Sequence, residues 1–144
     1  MQRTFRGPAV WLGIGLLACL AQPPSLDGQD APRTDAVARG LVQSAKRTYE
    51  AYDKDYYEGF GPLERLYIWS RRWFKAQADT AEAERDQLTA AEAHLARMMK
   101  LQQLTKRRLD ARVATDPEYS SATYYRLRAE QAVQRLKKGK ERGG

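Results

Sequence analysis

Residues 63–114 read LERLYIWSRRWFKAQADTAEAERDQLTAAEAHLARMMKLQQLTKRRLDARVA, 52 residues without a proline or a glycine. The stretch is dominated by Ala, Leu, Glu, Lys, Arg and Gln, the residues that lose least on entering a helix. Its first half carries Leu63, Leu66, Trp69, Trp73 and Ala76, with Tyr67 and Phe74 alongside. Its second half carries Leu88, Ala91, Leu95, Met98, Leu101, Leu104 and Leu109. Steps of three and four residues place each set on one helical face. Taken as one helix, the stretch spans about 80 Å.

A break near Gln77–Asp86 would fold that helix back into a compact bundle. Ala76, Ala78, Ala81 and Ala83 all favour helix, so local propensity predicts continuity. Between Ala76 and Ala96 the large apolar side chains are Leu88 and Leu95 alone. Small residues there either admit a close neighbour or fill a solvated helix. The solvated reading is the expectation, with a self-association surface as the other outcome.

Punctuation sets the flanking elements. Thr34 is a candidate cap, and Asp35 stands in the first turn where the helix dipole favours an acid. The first stripe is Val37, Leu41, Ala45, Tyr49, Tyr52 and Tyr56. Gly59-Phe60-Gly61-Pro62 stops this helix and opens the next. Later, Asp116 can cap and Pro117 can open a last helix, with Tyr119, Ala122, Tyr125, Ala129, Val133 and Leu136 on its face. Gly139 lies just beyond its expected end. Val and Ile together number five from residue 22 onward, too few for a sheet core. The predicted fold is therefore all-α: three antiparallel helices over about 34–57, 62–114 and 117–138, elongated and hairpin-like. A disordered basic tail, 139–144, would follow.

Residues 1–21 read as an export signal. Arg3 and Arg6 precede a charge-free apolar stretch from Pro8 to Leu20. That run falls short of the roughly 20 residues a spanning helix needs. Residues 22–33 read as a linker marked by Pro23, Pro24, Gly28 and Pro32. Two cleavage chemistries compete. Cleavage after Ala21 leaves Gln22 first. Alternatively, Leu16-Leu17-Ala18-Cys19 resembles the lipobox of bacterial lipoproteins, which would make Cys19 a lipidated N-terminus. On both, the protein is exported, periplasmic or secreted in the first case and membrane-anchored in the second. Neither leaves a free thiol.

The net charge of +7 shrinks on this reading. Two bases leave with the leader, and residues 135–144 hold five bases against one acid. The body between is close to neutral. It lacks the basic stripe on a folded face that duplex nucleic acid demands.

Residues 49–74 hold nine of the chain's fourteen aromatic residues. Most fall on helical stripes and read as core. Tyr57, Phe60 and Tyr67 fall off the stripe or at the turn, and are the candidate partner surface. Candidate anion contacts are Arg107 and Arg108 on the predicted helix over 62–114 and Lys137, Lys138 and Lys140 near the end of the chain. One His and one Cys cannot form a multi-His site, an internal disulfide or a zinc cluster. His94 reads as a surface or boundary residue. Ser44, Ser70, Ser120 and Ser121 lack a nucleophile motif, and no phosphate-cradling glycine loop is present. No catalytic residue, metal or cofactor is expected.

Two strings carry a family likeness: Tyr57-Glu58-Gly59 followed by Arg65-Leu66-Tyr67-Ile68-Trp69-Ser70-Arg71-Arg72-Trp73-Phe74-Lys75-Ala76-Gln77, and Arg112-Val113 followed by Ala122-Thr123-Tyr124-Tyr125-Arg126-Leu127-Arg128-Ala129-Glu130. Their pattern resembles the helical repeats of TolC-type outer-membrane efflux proteins. It also looks like small exported bacterial helical proteins of unknown function. The resemblance implies helical hairpins and an envelope location. Thr115-Asp116-Pro117 stands where the repeat has a glycine, so no functional residue carries over.

The sequence thus predicts an exported, non-enzymatic helical protein with a structural or interaction role in the cell envelope. Its partner would be another envelope protein or a second copy. Two alternatives are a lipid-anchored accessory component of an efflux-like transport system and a binder of anionic polymers or lipid headgroups through the basic tail.

Overall fold

A computed structural model describes residues 31–143. Within them lie four α-helices: α1 (Ala31–Tyr57), α2 (Leu63–Asp79), α3 (Glu84–Asp110) and α4 (Asp116–Gly143). The all-α expectation holds, but the three-helix layout does not. The predicted helix over 62–114 is two helices, folded back at residues 80–83. The leader, the linker as far as residue 30 and Cys19 lie outside the described residues.

The fold-back needs neither glycine nor proline. At Thr80 the hydroxyl donates to the carbonyls of Ala76 at 3.0 Å and Gln77 at 3.1 Å. These acceptors at the end of α2 are thereby satisfied without another turn of helix. Ala83 is extended at φ −126° and ψ 148°. Glu84 and Asp86 then occupy the first turn of α3, where the dipole favours them. The gain is tertiary. Folding back lays the face of Leu66, Ser70 and Trp73 against that of His94, Met98 and Leu101, surface a straight helix would leave in water. Propensity differences of tenths of a kcal/mol per residue do not outweigh that burial.

Successive helices run antiparallel, and α1 lies parallel to α3 as α2 does to α4. Tyr49–Trp73 contacts join α1 to α2, and Glu92–Lys137 and Gln102–Thr123 join α3 to α4. Tyr67 stacks on Tyr125 with ring centres 4.0 Å apart, joining α2 to α4. The core is Tyr49, Tyr56, Leu63, Leu66, Met98, Leu101, Ala122 and Ala129. Ala90 and Ala91 are buried too, so this part of the Ala-rich stretch is a close-packing surface rather than a solvated one. Val37 and Leu41 are exposed, contrary to the expected stripe. Their partner helix α2 already ends at Asp79, leaving the start of α1 without a full-length neighbour.

Three boundaries also differ. The helix predicted from Thr34 begins at Ala31. The cap of α4 is Thr115 rather than Asp116. Thr115 N–H donates to Glu118 Oε2 at 2.7 Å, and Glu118 N–H returns to Thr115 Oγ1 at 3.4 Å, a reciprocal capping box. At its far end α4 continues through Gly139 to Gly143, so the predicted disordered tail is helical to that point.

Candidate functional site

The polar centre of the molecule lies between α2 and α3. Ser70 is wholly buried and His94 is 4% exposed. Ser70 sits on the stripe Leu66–Ser70–Trp73, and His94 on Ala91–His94–Met98, so helical periodicity turns both inward. Arg97 donates from Nε to Ser70 Oγ at 2.7 Å, and Ser70 Oγ lies 2.8 Å from His94 Nδ1. One arrangement runs the hydrogen bonds in a single direction. Arg97 donates to Ser70, Ser70 donates to His94 Nδ1, and the imidazole proton is assigned to Nε2.

The Arg97 guanidinium lies 4.0 Å from the Trp73 ring centre and 5.6 Å from that of Tyr49. Its Nη2 is buried without a hydrogen-bond partner. The two aromatic faces offset part of that cost through their negative quadrupoles. Burial lowers the Arg97 pKa, without neutralising a guanidinium. Burial first, then the charges of Arg97 and Arg71, hold His94 down to about 4. Burial, and then Asp53, raise the Tyr49 phenol. His94 is therefore a neutral hydrogen-bonding group at neutral pH. Ser70 and His94 are in the contact expected of a nucleophile and its base, yet Ser70 has no exposed surface from which to attack.

Among the described residues, no group of three or more His, Cys, Asp or Glu could hold a metal ion. No described helix is long and apolar enough to cross a membrane.

The residues singled out in the sequence separate. Tyr57 and Phe60 flank the α1–α2 turn, 69% and 68% exposed. Tyr67 is not with them; it packs against the core and stacks on Tyr125. Arg108 is half-buried, over the Tyr56 ring at 4.6 Å and donating to the Tyr56 carbonyl at 3.0 Å. It thus caps the C-terminal end of α1, as a cation there should. Arg107 is exposed beside a groove of about 420 Å³ with Lys106 and Tyr119. Lys138 and Lys140 are exposed, and Lys137 pairs with Glu92 at 3.0 Å. Given the Gln102–Thr123 rung, Arg107 and Lys137 lie about 30 Å apart along the bundle, so they form no single patch.

Sequence reasoning missed Ser70 and Arg97 and placed His94 at the boundary. A signal was present: Ser70, His94 and Thr105 are the polar members of otherwise apolar stripes. Thr105 has the same role at the other end, since Tyr56 Oη lies 3.2 Å from Thr105 Oγ1, which itself donates to the Leu101 carbonyl. Comparison with protein-family models, with curated proteins and with solved structures finds no match for this chain.

Proposed function

We propose that this chain is an exported, non-enzymatic helical protein that docks on another protein of the cell envelope. The contact would be the end of the bundle that carries the α1–α2 turn. The supporting observation is the pair Tyr57 and Phe60, two large aromatic side chains held out in water. The backbone beneath them is fixed. Gly59 N–H donates to Tyr56 O at 3.1 Å and Phe60 N–H to Asp55 O at 2.7 Å. Gly59 at φ +96° and Gly61 at φ +81° make the turn that presents them. Parallel α1 and α3 bring the exposed Val113 to the same end of the molecule. Rigid exposed aromatic side chains have a small entropy cost on docking and commonly anchor protein interfaces.

Photo-crosslinking in producing cells tests this reading. A photoreactive residue at position 57 or 60 should yield one adduct of defined mass, and a control at the exposed Gln134 should not. Equal labelling at all three positions would remove the reading. An adduct of twice the chain mass would replace the partner with a second copy. Mass spectrometry of the native N-terminus tests the export component. A chain beginning at Gln22 fits secretion, whereas a lipidated Cys19 would make the protein membrane-anchored.

A further inference from the structure

A half-open cleft of about 120 Å³ lies between α2, α3 and α4, at the level of His94 along the bundle. Tyr67 and Phe74 form part of its wall, with His94 lining it from the core. Arg71, Arg128 and Arg135 stand around it, all exposed. None of its lining residues is acidic. None of the three arginines has a carboxylate partner among the described residues; Arg128 makes a hydrogen bond to Gln131 Oε1 at 3.0 Å. Three cations converging without a counter-charge repel one another, and an anion between them relieves that repulsion.

The buried relay adds a directed donor. Ser70 occupies His94 Nδ1, and in the tautomer in which the Ser70 hydroxyl donates, Nε2 carries the proton and is the ring nitrogen left for a ligand. The stack of His94 on Phe74, with centroids 5.5 Å apart and planes within 1°, holds the ring in place. The space admits several waters, hence one tetrahedral oxyanion, and is well below the volume of a drug-sized or nucleotide pocket.

We propose that this cleft binds a small oxyanion of the phosphate or sulfate class, free or as a monoester. The guanidinium groups of Arg71, Arg128 and Arg135 hold it, and the Nε2–H of His94 donates to it from the floor. Planar guanidinium forks match oxyanion geometry, and a buried neutral imidazole donor adds direction. This site is independent of the docking reading, since it uses none of the residues at the α1–α2 turn.

His94 is the chain's single histidine, so its ring nitrogens are an unambiguous probe. Inorganic phosphate and, separately, glycerol 3-phosphate are titrated into nitrogen-labelled full chain at neutral pH, with ionic strength held by sodium chloride. The expected result is a saturable displacement of the His94 Nε2 resonance by at least one of them. Arg71→Gln and Arg135→Gln should each weaken binding about tenfold or more. Arg47→Gln, exposed on α1 and outside the cleft, should leave it unchanged. Tighter binding of glycerol 3-phosphate would mean that the oxyanion arrives on a larger molecule. Absence of saturation with either ligand overturns the proposal, as does an equal loss in Arg47→Gln. Both substituted arginines are exposed, so unchanged helical circular dichroism separates lost binding from lost folding.

Discussion

Arg97 of α3 donates its Nε–H to Ser70 of α2 at 2.7 Å, while the Ser70 hydroxyl contacts His94 Nδ1 at 2.8 Å. A wholly buried serine thus links a partly buried cation to a buried imidazole. The hairpin of α2 and α3 closes over linked polar groups, and the cost of breaking one link falls on the groups left behind.

Ser70→Ala leaves Arg97 Nε and His94 Nδ1 unpaired together. A loss of about 2–4 kcal/mol is expected, the range for orphaning buried polar groups and a charge partner. Denaturant unfolding followed by circular dichroism measures it. Replacing Arg97 by Met in the same chain should recover part of the loss, giving a non-additive double-mutant cycle. Strict additivity would mean that the contact does not couple the two helices.

The folded chain holds His94 at a pKa of about 4, whereas an unfolded histidine titrates near its ordinary value, about 6.5. Between these values the unfolded state binds more protons, so stability rises with pH. The contribution is full above about 6.5 and is lost as pH falls toward 4, on the order of 3 kcal/mol in total. Unfolding midpoints across this window should fall more steeply in the native chain than in His94→Gln. Direct titration of the one histidine by NMR should give a midpoint near 4; a midpoint near 6.5 would show that the imidazole is solvated.

Because α2 and α3 fold back at Thr80, the longest helix among the described residues is α4, at 28 residues. Solution scattering should therefore give a maximum dimension near 50 Å for residues 31–143, against about 80 Å for an unbroken helix over 63–114. A value near the larger figure would place the fold-back outside solution conditions.

Arg112 takes the left-handed backbone at φ 60° where α3 ends. Arg112 N–H donates to Leu109 O at 2.8 Å and Val113 N–H to Arg108 O at 2.8 Å, which close the helix end. A side chain in this conformation costs roughly 1 kcal/mol that glycine avoids. Arg112→Gly should raise stability by about 0.5–1 kcal/mol, whereas Gly59→Ala, also at positive φ, should lower it by about 1–2 kcal/mol. Thermal melts of the two variants test both signs.

Much of the fold is legible in local chemistry. The turns at Gly59–Pro62 and near Pro117 carry their own conformational instructions, and the apolar steps mark which faces go inward. The Thr80 turn does not. Its residues favour helix, and the break is favoured only once the faces of Leu66, Ser70 and Trp73 can meet those of His94, Met98 and Leu101. The candidate site follows from that meeting. Ser70 and His94 are 24 positions apart, and Arg97 lies 27 from Ser70. Arg71, Arg128 and Arg135 converge only when α4 packs beside the hairpin.

By itself, then, the sequence determined helix, most of the inward faces and the turns at Gly59–Pro62 and Pro117, because these depend on residues within a turn or two of one another. The tertiary structure decided the number of helices and the neighbours of His94. Those depend on apolar burial and buried hydrogen bonds between residues far apart in the chain, energies that no local window contains.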